Sequence, residues 1–273
     1  MHKAVDLEFA NVSDTGLKRA NNEDSVVTDP QSGLVLVADG MGGYKAGEVA
    51  SAIAAKVVLD DVRAGLGRRE FLQSGASEAT LLKAAIESAN RHIYETAAKI
   101  PQCRGMGTTI AAVLFSHGRA TVAHVGDSRV YRLREGALSQ VTTDHSLFQE
   151  LIDKGYLTPE EAQATTPRNL VTRALGIDPE VKVDIQQMDS LPNDIFLICS
   201  DGLTDMVGAE DIHLTLDRYG ANLQTAAQEL VELANAGGGR DNVSVVLARP
   251  LPVKLAGGGS GFELPSLWSR GSR

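Results

Sequence analysis

Three aspartates in this chain stand where an apolar run meets a turn. Asp39 closes LVLVADGMGG (34–43), Asp201 closes IFLICSDGLTD (195–205), and Asp241 opens GGRDNVSVV (238–246). Apolar runs of this length next to glycines read as buried strands bounded by tight turns. In antiparallel neighbours the end of one strand lies ~5 Å from the start of the next, so Asp201 and Asp241 can face each other across a ladder. If Asp39 reaches the same edge, three carboxylates share one spot. Their repulsion then calls for cations or for raised pKa values.

The donor set narrows the ion. Carboxylates, backbone carbonyls and water suit Mg²⁺ or Mn²⁺ rather than Zn²⁺. His2, His92, His117, His124, His145 and His213 show no paired ligand spacing and read as structural or surface residues. Two ions bridged by Asp39 could hold a shared hydroxide at neutral pH and orient a phosphate ester for in-line attack. An arginine would then grip the phosphate oxygens bidentately, and Arg19 is the candidate.

Other chemistries drop out. Neither Cys103 nor Cys199 is followed by the arginine that a cysteine-nucleophile phosphatase loop needs, and two cysteines make no disulfide framework. A net charge of -9 argues against a nucleic-acid backbone partner. A serine-esterase use of Gly126–Ser128 would need a late Asp and His three apart, which the sequence lacks. A calcineurin-like site would need several histidine ligands. With no signal-like N-terminus and no run of ~18 apolar residues, a cytoplasmic protein is expected.

The elements around the acids follow from periodicity. Strand character at 7–12, 25–28 and 34–38 frames RANNED (19–24), and a hairpin there would carry Glu23 and Asp24 close to Asp39. A helix from residue 44 to 64 would present Val49, Ile53 and Val57 on one face, and a second over 80–99 would present Leu82, Ile86, Ala89 and Ile93. Residues 108–141 read as four strands of one antiparallel meander, with Asp127 directly after TVAHV. Residues 145–180 read as an excursion or flap, with a short helix at 146–154 and a capping-box start at Thr158 and Glu161. Strands at 181–187 and 194–199, a helix at 222–236 and a last strand at 243–248 complete the domain, expected over 1–249. Residues 250–273, with GGGSG, have the composition of a flexible tail.

Taken together, RANNED (19–24), ADGMGG (38–43), MGTT (106–109), VGDSR (125–129), SDGLTD (200–205) and GGRDNVSVV (238–246) resemble the motifs of the PPM family in their order. These are the metal-dependent Ser/Thr protein phosphatases of type 2C, and the match is closest to their bacterial branch. The resemblance implies an α+β fold, a four-layer αββα sandwich of two antiparallel sheets flanked by helices, with the metal site at one end. It implies that Asp39 bridges two Mn²⁺ or Mg²⁺ ions, that the Gly40 carbonyl completes one of them, and that Asp201 and Asp241 bind the other. Glu23 and Asp24 would hold metal-bound waters, Arg19 the substrate phosphate, and Asp127 a third ion near the flap. Asn169 stands where some relatives offer a flap hydroxyl. Met41 replaces the histidine of the eukaryotic pattern, so no general-acid role for that histidine transfers. The implied partners are phosphoserine and phosphothreonine proteins, a Ser/Thr kinase among them, acted on by a monomer.

Overall fold

The computed structural model describes residues 6–43, 46–67, 77–167 and 170–252. In chain order the elements are β1 (Leu7–Asp14), β2 (Asp24–Asp29), β3 (Leu34–Met41), α1 (Ala46–Gly67), α2 (Glu78–Lys99), β4 (Gly107–Thr108), β5 (Ile110–Ser116), β6 (Arg119–Val125), β7 (Arg129–Arg134) and β8 (Ala137–Gln140). There follow α3 (Leu147–Asp153), α4 (Pro159–Thr165), β9 (Asp184–Asp189), β10 (Ile195–Cys199), α5 (Asp201–Thr204), α6 (Ala209–Tyr219), α7 (Leu223–Ala236) and β11 (Val243–Pro250). One sheet runs β1-β11-β10-β7-β8 and the other β2-β3-β5-β6-β9, with β4 added to β3. All of the pairings are antiparallel.

The expected four-layer sandwich is what these strands build, because their side chains alternate between two buried faces. On β3, Val35 and Val37 join Ala111, Val113, Phe196, Ile198 and Val246 between the sheets. Leu34, Leu36 and Ala38 point the other way, onto α1 and α2. The second sheet repeats the arrangement, with Leu197, Cys199, Val245 and Leu247 packed under α6 and α7. Phe115 and Phe196 meet edge-to-face across the central layer at 5.1 Å, a favoured aromatic geometry.

Four expectations need correction. The 108–141 stretch is not one meander: β5 and β6 belong to one sheet and β7 and β8 to the other. Gly126–Ser128 is the crossover, and Gly126 takes φ +106° to make it. On α1 the fully buried stripe is Ala46, Ala50, Ala54, Val58 and Val62, whereas Val49, Ile53 and Val57 only flank it, since small residues let the helix axis approach the sheet closely. The helix α6 went unread, although Ile212 and Leu216 are spaced four apart and both are buried. The strand expected at 181–187 begins only at Asp184. The second helix, its buried face, and the capping box at Thr158 and Glu161 are as expected. The tail beyond residue 252, with most of the expected 250–273 segment, lies outside the described residues.

One ion pair staples α1 to the β2–β3 turn. Arg63 Nε and Nη2 donate to the two oxygens of Asp29 at 2.9 Å each, and the Ser32 hydroxyl donates to the same carboxylate at 2.6 Å. Asp29 is buried, and the Arg63 fork holds its carboxyl down at about 2. A depressed carboxylate pKa stabilises above the unfolded value of ~3.9 and loses that contribution as pH falls through the folded value. Asp29→Asn should therefore lower stability at pH 7 by about 2 kcal/mol. In denaturant melts the gap to the wild type should close as pH falls from ~4 towards 2.

Candidate active site

Strand alternation aims the acids. Because Val35 and Val37 face the space between the sheets, Asp39 faces it too, one step beyond the apolar core. Asp24 is its direct register partner on β2, as the hairpin expectation required. From the opposite sheet, the Ser200 hydroxyl donates to Asp24 Oδ2 at 2.9 Å, and Asp201 follows as the first residue of α5. Asp127 comes in on the crossover turn and is buried. All of these acids except Asp24 line one cavity of 420 Å³, together with Arg19, Glu23 and Asp241.

The loop that carries Arg19 is tied down by Asn242. Its Oδ1 accepts the Glu23 N–H at 2.8 Å, and its Nδ2 donates to Thr15 O and Asn21 O at 2.9 Å each. Gly40 is a true glycine position, since a Cβ there would collide with Gly47 O at the head of α1 and with Glu23 O. Gly40 itself lines the cavity. Met41 also lines the cavity.

The electrostatics are those of like charges crowded together. Burial, reinforced by the charges of Asp24, Asp201 and Asp127, holds the Asp39 carboxyl well above the usual carboxylate range. Burial and Asp127 push Asp201 up to about 8. Burial lifts Asp24 and Asp127 to about 6 each, and raises Glu23 as well. Asp24, Asp39 and Asp201 interact through their carboxyls, so they titrate as a group rather than singly.

Asp24 Oδ1 and Asp201 Oδ1 are shielded from solvent and have no hydrogen-bond partner. Orphaned carboxylate oxygens in an oxygen-only donor set fit a hard divalent cation. The donors are gathered but not closed: among the described residues no three His, Cys, Asp or Glu side chains already converge as a metal cage. Asp241, expected to share an ion with Asp201, instead accepts from Arg19 Nη2 on Oδ2 at 2.6 Å and from the Asn242 N–H on Oδ1 at 2.8 Å. Arg19 is thus an ion-pair partner of Asp241 at the cavity rim, with more than half of its side chain exposed.

Several supporting residues escaped the sequence reading. Thr108 and Thr109 anchor Asp39 through backbone and hydroxyl bonds, and only MGTT hinted at them. His145, read as structural, holds the turn bearing Asp127: its N–H donates to Gly126 O at 2.9 Å and its Nδ1 accepts the Gly126 N–H at 3.0 Å. That bond needs Nδ1 unprotonated, and burial lowers the ring's pKa to about 4. From the 145–180 excursion, Leu170 and Val171 reach the cavity, while Asn169 lies outside the described residues.

Comparison with known proteins agrees with this geometry. The chain matches the family description "Protein phosphatase 2C" over residues 18–235. It is 43% identical over 244 residues to the serine/threonine protein phosphatase PstP of Mycobacterium tuberculosis, covering 89% of this chain and 45% of that protein. The chain therefore spans about half the length of that curated relative. It is 35% identical over 238 residues to the serine/threonine phosphatase stp of Listeria monocytogenes, covering 86% of this chain and 92% of that one. The crystal structure of the PstP catalytic domain in complex with two manganese ions superposes with a TM-score of 0.79 at 39% identity, covering 90% of this chain and 99% of that chain.

Raised carboxylate pKa values mean that the folded protein binds more protons than the unfolded one between ~3.9 and about 8, so stability falls as pH rises through that window. In chelator, the melting temperature should drop between pH 5 and pH 9. Excess Mn²⁺ should flatten that slope, and thermal melts in the two conditions measure the difference.

Proposed function

The chain belongs to the protein phosphatase 2C family, and from that premise we propose that it hydrolyses phosphoserine and phosphothreonine in proteins, using Mn²⁺ or Mg²⁺ held in the acidic cavity. The observation that carries the reading is the convergence of Asp24, Asp39, Asp201 and Asp127, with orphaned oxygens on two of them. Asp39, the Gly40 carbonyl, Asp201 and Asp241 are the residues that would hold two ions, and Asp127 would take a third. When bound, such ions supply an activated water at neutral pH and neutralise charge on the phosphoryl oxygens. The manganese in the related PstP structure supports that choice of ion.

The chain's own groups do the rest. Glu23 on the cavity wall and Asp24 behind Asp39 would accept from ordered water, and Asp24 is fixed for that by Ser200. Arg19 is exposed enough at the rim to meet an incoming phosphate, and its planar fork suits two phosphoryl oxygens. The same guanidinium pairs with Asp241; were Asp241 to hold an ion, Arg19 would be released to the phosphate. Met41 supplies no titratable group beside the leaving oxygen, which leaves water as the proton source.

The wider role follows the same reading. Substrates are phosphoproteins made by Ser/Thr kinases, the kinase itself among them, and the enzyme acts as a monomer in the cytoplasm. Two free, buried cysteines suit that compartment.

Hydrolysis of p-nitrophenyl phosphate should require Mn²⁺ or Mg²⁺ and stop in chelator. Asp39→Asn should cut turnover by at least ~100-fold with loss of Mn²⁺ binding. Arg19→Ala should mainly raise KM for phosphopeptides, by ~10-fold or more. Metal-independent turnover, or near-wild-type activity in Asp39→Asn, would refute the assignment.

A further inference from the structure

Asp39 and Asp127 come from different structural units. Asp39 lies two residues before the end of β3 inside one sheet, whereas Asp127 sits on the crossover that leaves that sheet for the other. The β3–β5 ladder stops at Val37 and the β5–β6 ladder at Val125, so no ladder bond joins the two acids, yet acids that hold neighbouring cations must keep their separation. One buried side chain spans the gap.

That side chain is Thr109, between β4 and β5. Its position has the parity of Ala111 and Val113, which face the space between the sheets, so its hydroxyl enters the same polar layer as Asp39. Thr109 Oγ1 accepts the Asp39 N–H at 3.2 Å and lies 2.7 Å from Ser128 Oγ, a hydrogen bond in which either hydroxyl can donate. The Thr109 N–H returns to Asp39 O at 2.9 Å. The N–H and the C=O of Asp39 are therefore both held by one residue, and the same residue holds the neighbour of Asp127.

Packing makes an independent second tie. A Cβ built on Gly126 would lie 2.6 Å from both Cβ and Cγ2 of Thr109, so the crossover turn rests against the threonine's methyl side. Thr109 is itself almost fully buried, at 1% exposure, and borders the cavity. A hydroxyl so placed is bonded on one side to the Asp39 backbone and on the other to Ser128, the neighbour of Asp127.

We propose that Thr109 is a positioning residue that locks the end of β3 to the Gly126–Ser128 turn, setting the distance between Asp39 and Asp127 at which divalent cations bind. Outer partners of metal ligands shape affinity because they fix ligand orientation before the ion arrives. Thr109 does so for two acids at once through a single hydroxyl. This inference rests on the metal-dependent reading of the cavity, and the test separates the two.

Mn²⁺ binding is measured by titration calorimetry on the wild type, Thr109→Val, Thr109→Ser, Ser128→Ala and Asp39→Asn, alongside p-nitrophenyl phosphate kinetics. Thr109→Val keeps the shape and removes the hydroxyl, so Mn²⁺ affinity should fall ~10-fold or more, with kcat reduced and KM little changed. Thr109→Ser, which keeps the hydroxyl, should restore affinity to within ~3-fold of wild type. Ser128→Ala should weaken binding in the same direction, and combining it with Thr109→Val should add less than the sum of the two, because both remove one bond. If Thr109→Val fails to fold, Ser128→Ala and Thr109→Ser decide the matter. Wild-type affinity in Thr109→Val or in Ser128→Ala overturns the inference, as does a Thr109→Ser variant impaired as much as Thr109→Val. Wild-type Mn²⁺ binding in Asp39→Asn overturns the metal reading and this inference with it, whereas its loss beside unchanged binding in Thr109→Val overturns the inference alone.

Discussion

The constraint on which the rest of this structure depends is the repulsion among carboxylates at one end of the sandwich. Two full charges ~5 Å apart at an effective dielectric of ~20 repel by about 3 kcal/mol, and Asp39 is exposed to the charges of Asp24, Asp201 and Asp127 together. The fold does not relieve this by spreading the acids or by inserting lysines among them. It lets the carboxyls hold protons far above their usual range. A site that binds protons this readily where charge is unmatched gives them up to any divalent cation that matches it.

Holding such a cluster requires a frame whose own stability is independent of it. The sandwich provides one, since β3, β5, β10 and β11 are buried on both faces over most of their length. Each face packs a separate apolar layer, one between the sheets and one under each helical pair. The acids begin where the central layer stops. Asp39 follows Val35 and Val37 on one face, Asp24 sits opposite it, and Ser200 follows Phe196 and Ile198 from the other sheet. The alternation that fills the core thus delivers polar groups to its open end, and serines and threonines there convert the core's rigidity into fixed positions for the acids.

The edges of the cavity are built on a different principle. Arg19 and Glu23 ride on a loop with no strand pairing of its own between β1 and β2, and Asn242 makes up for it with three hydrogen bonds to backbone groups at 15, 21 and 23. On the far side, His145 and the pair of Arg129 with Asp144, whose closest contact is 2.7 Å, clamp the start of the excursion onto the crossover turn. Leu170 and Val171 then reach the cavity from a segment fastened near both ends, through Ser146 to Val171 and Thr108 to Leu175. The floor of the site is thus set by sheet geometry, while its rim is set by side chains that bond to backbone.

That division explains what could be read from the sequence. Strand ends announce themselves by apolar runs that stop at Asp-Gly, and so Asp39 and Asp201 were legible in the residues themselves, whereas the layered sandwich was implied only by the family resemblance. Contacts that cross between sheets carry no period. The change of sheet at Gly126 looks like any hairpin turn, because a glycine of positive φ serves both, and so one meander was expected where there are two hairpins. The buried stripe of α1 was missed for a related reason: Ala50 and Ala54 sit closest to the sheet because they are small, and a search for large apolar residues selects the flanks. Asp241 shows the limit most clearly. Its place at the start of β11 was readable, but whether its carboxylate turns to Asp201 or to Arg19 is decided by a loop more than two hundred residues away in the chain. A charge with two competing partners has no signature in spacing, because the choice depends on which cations are present as much as on the fold.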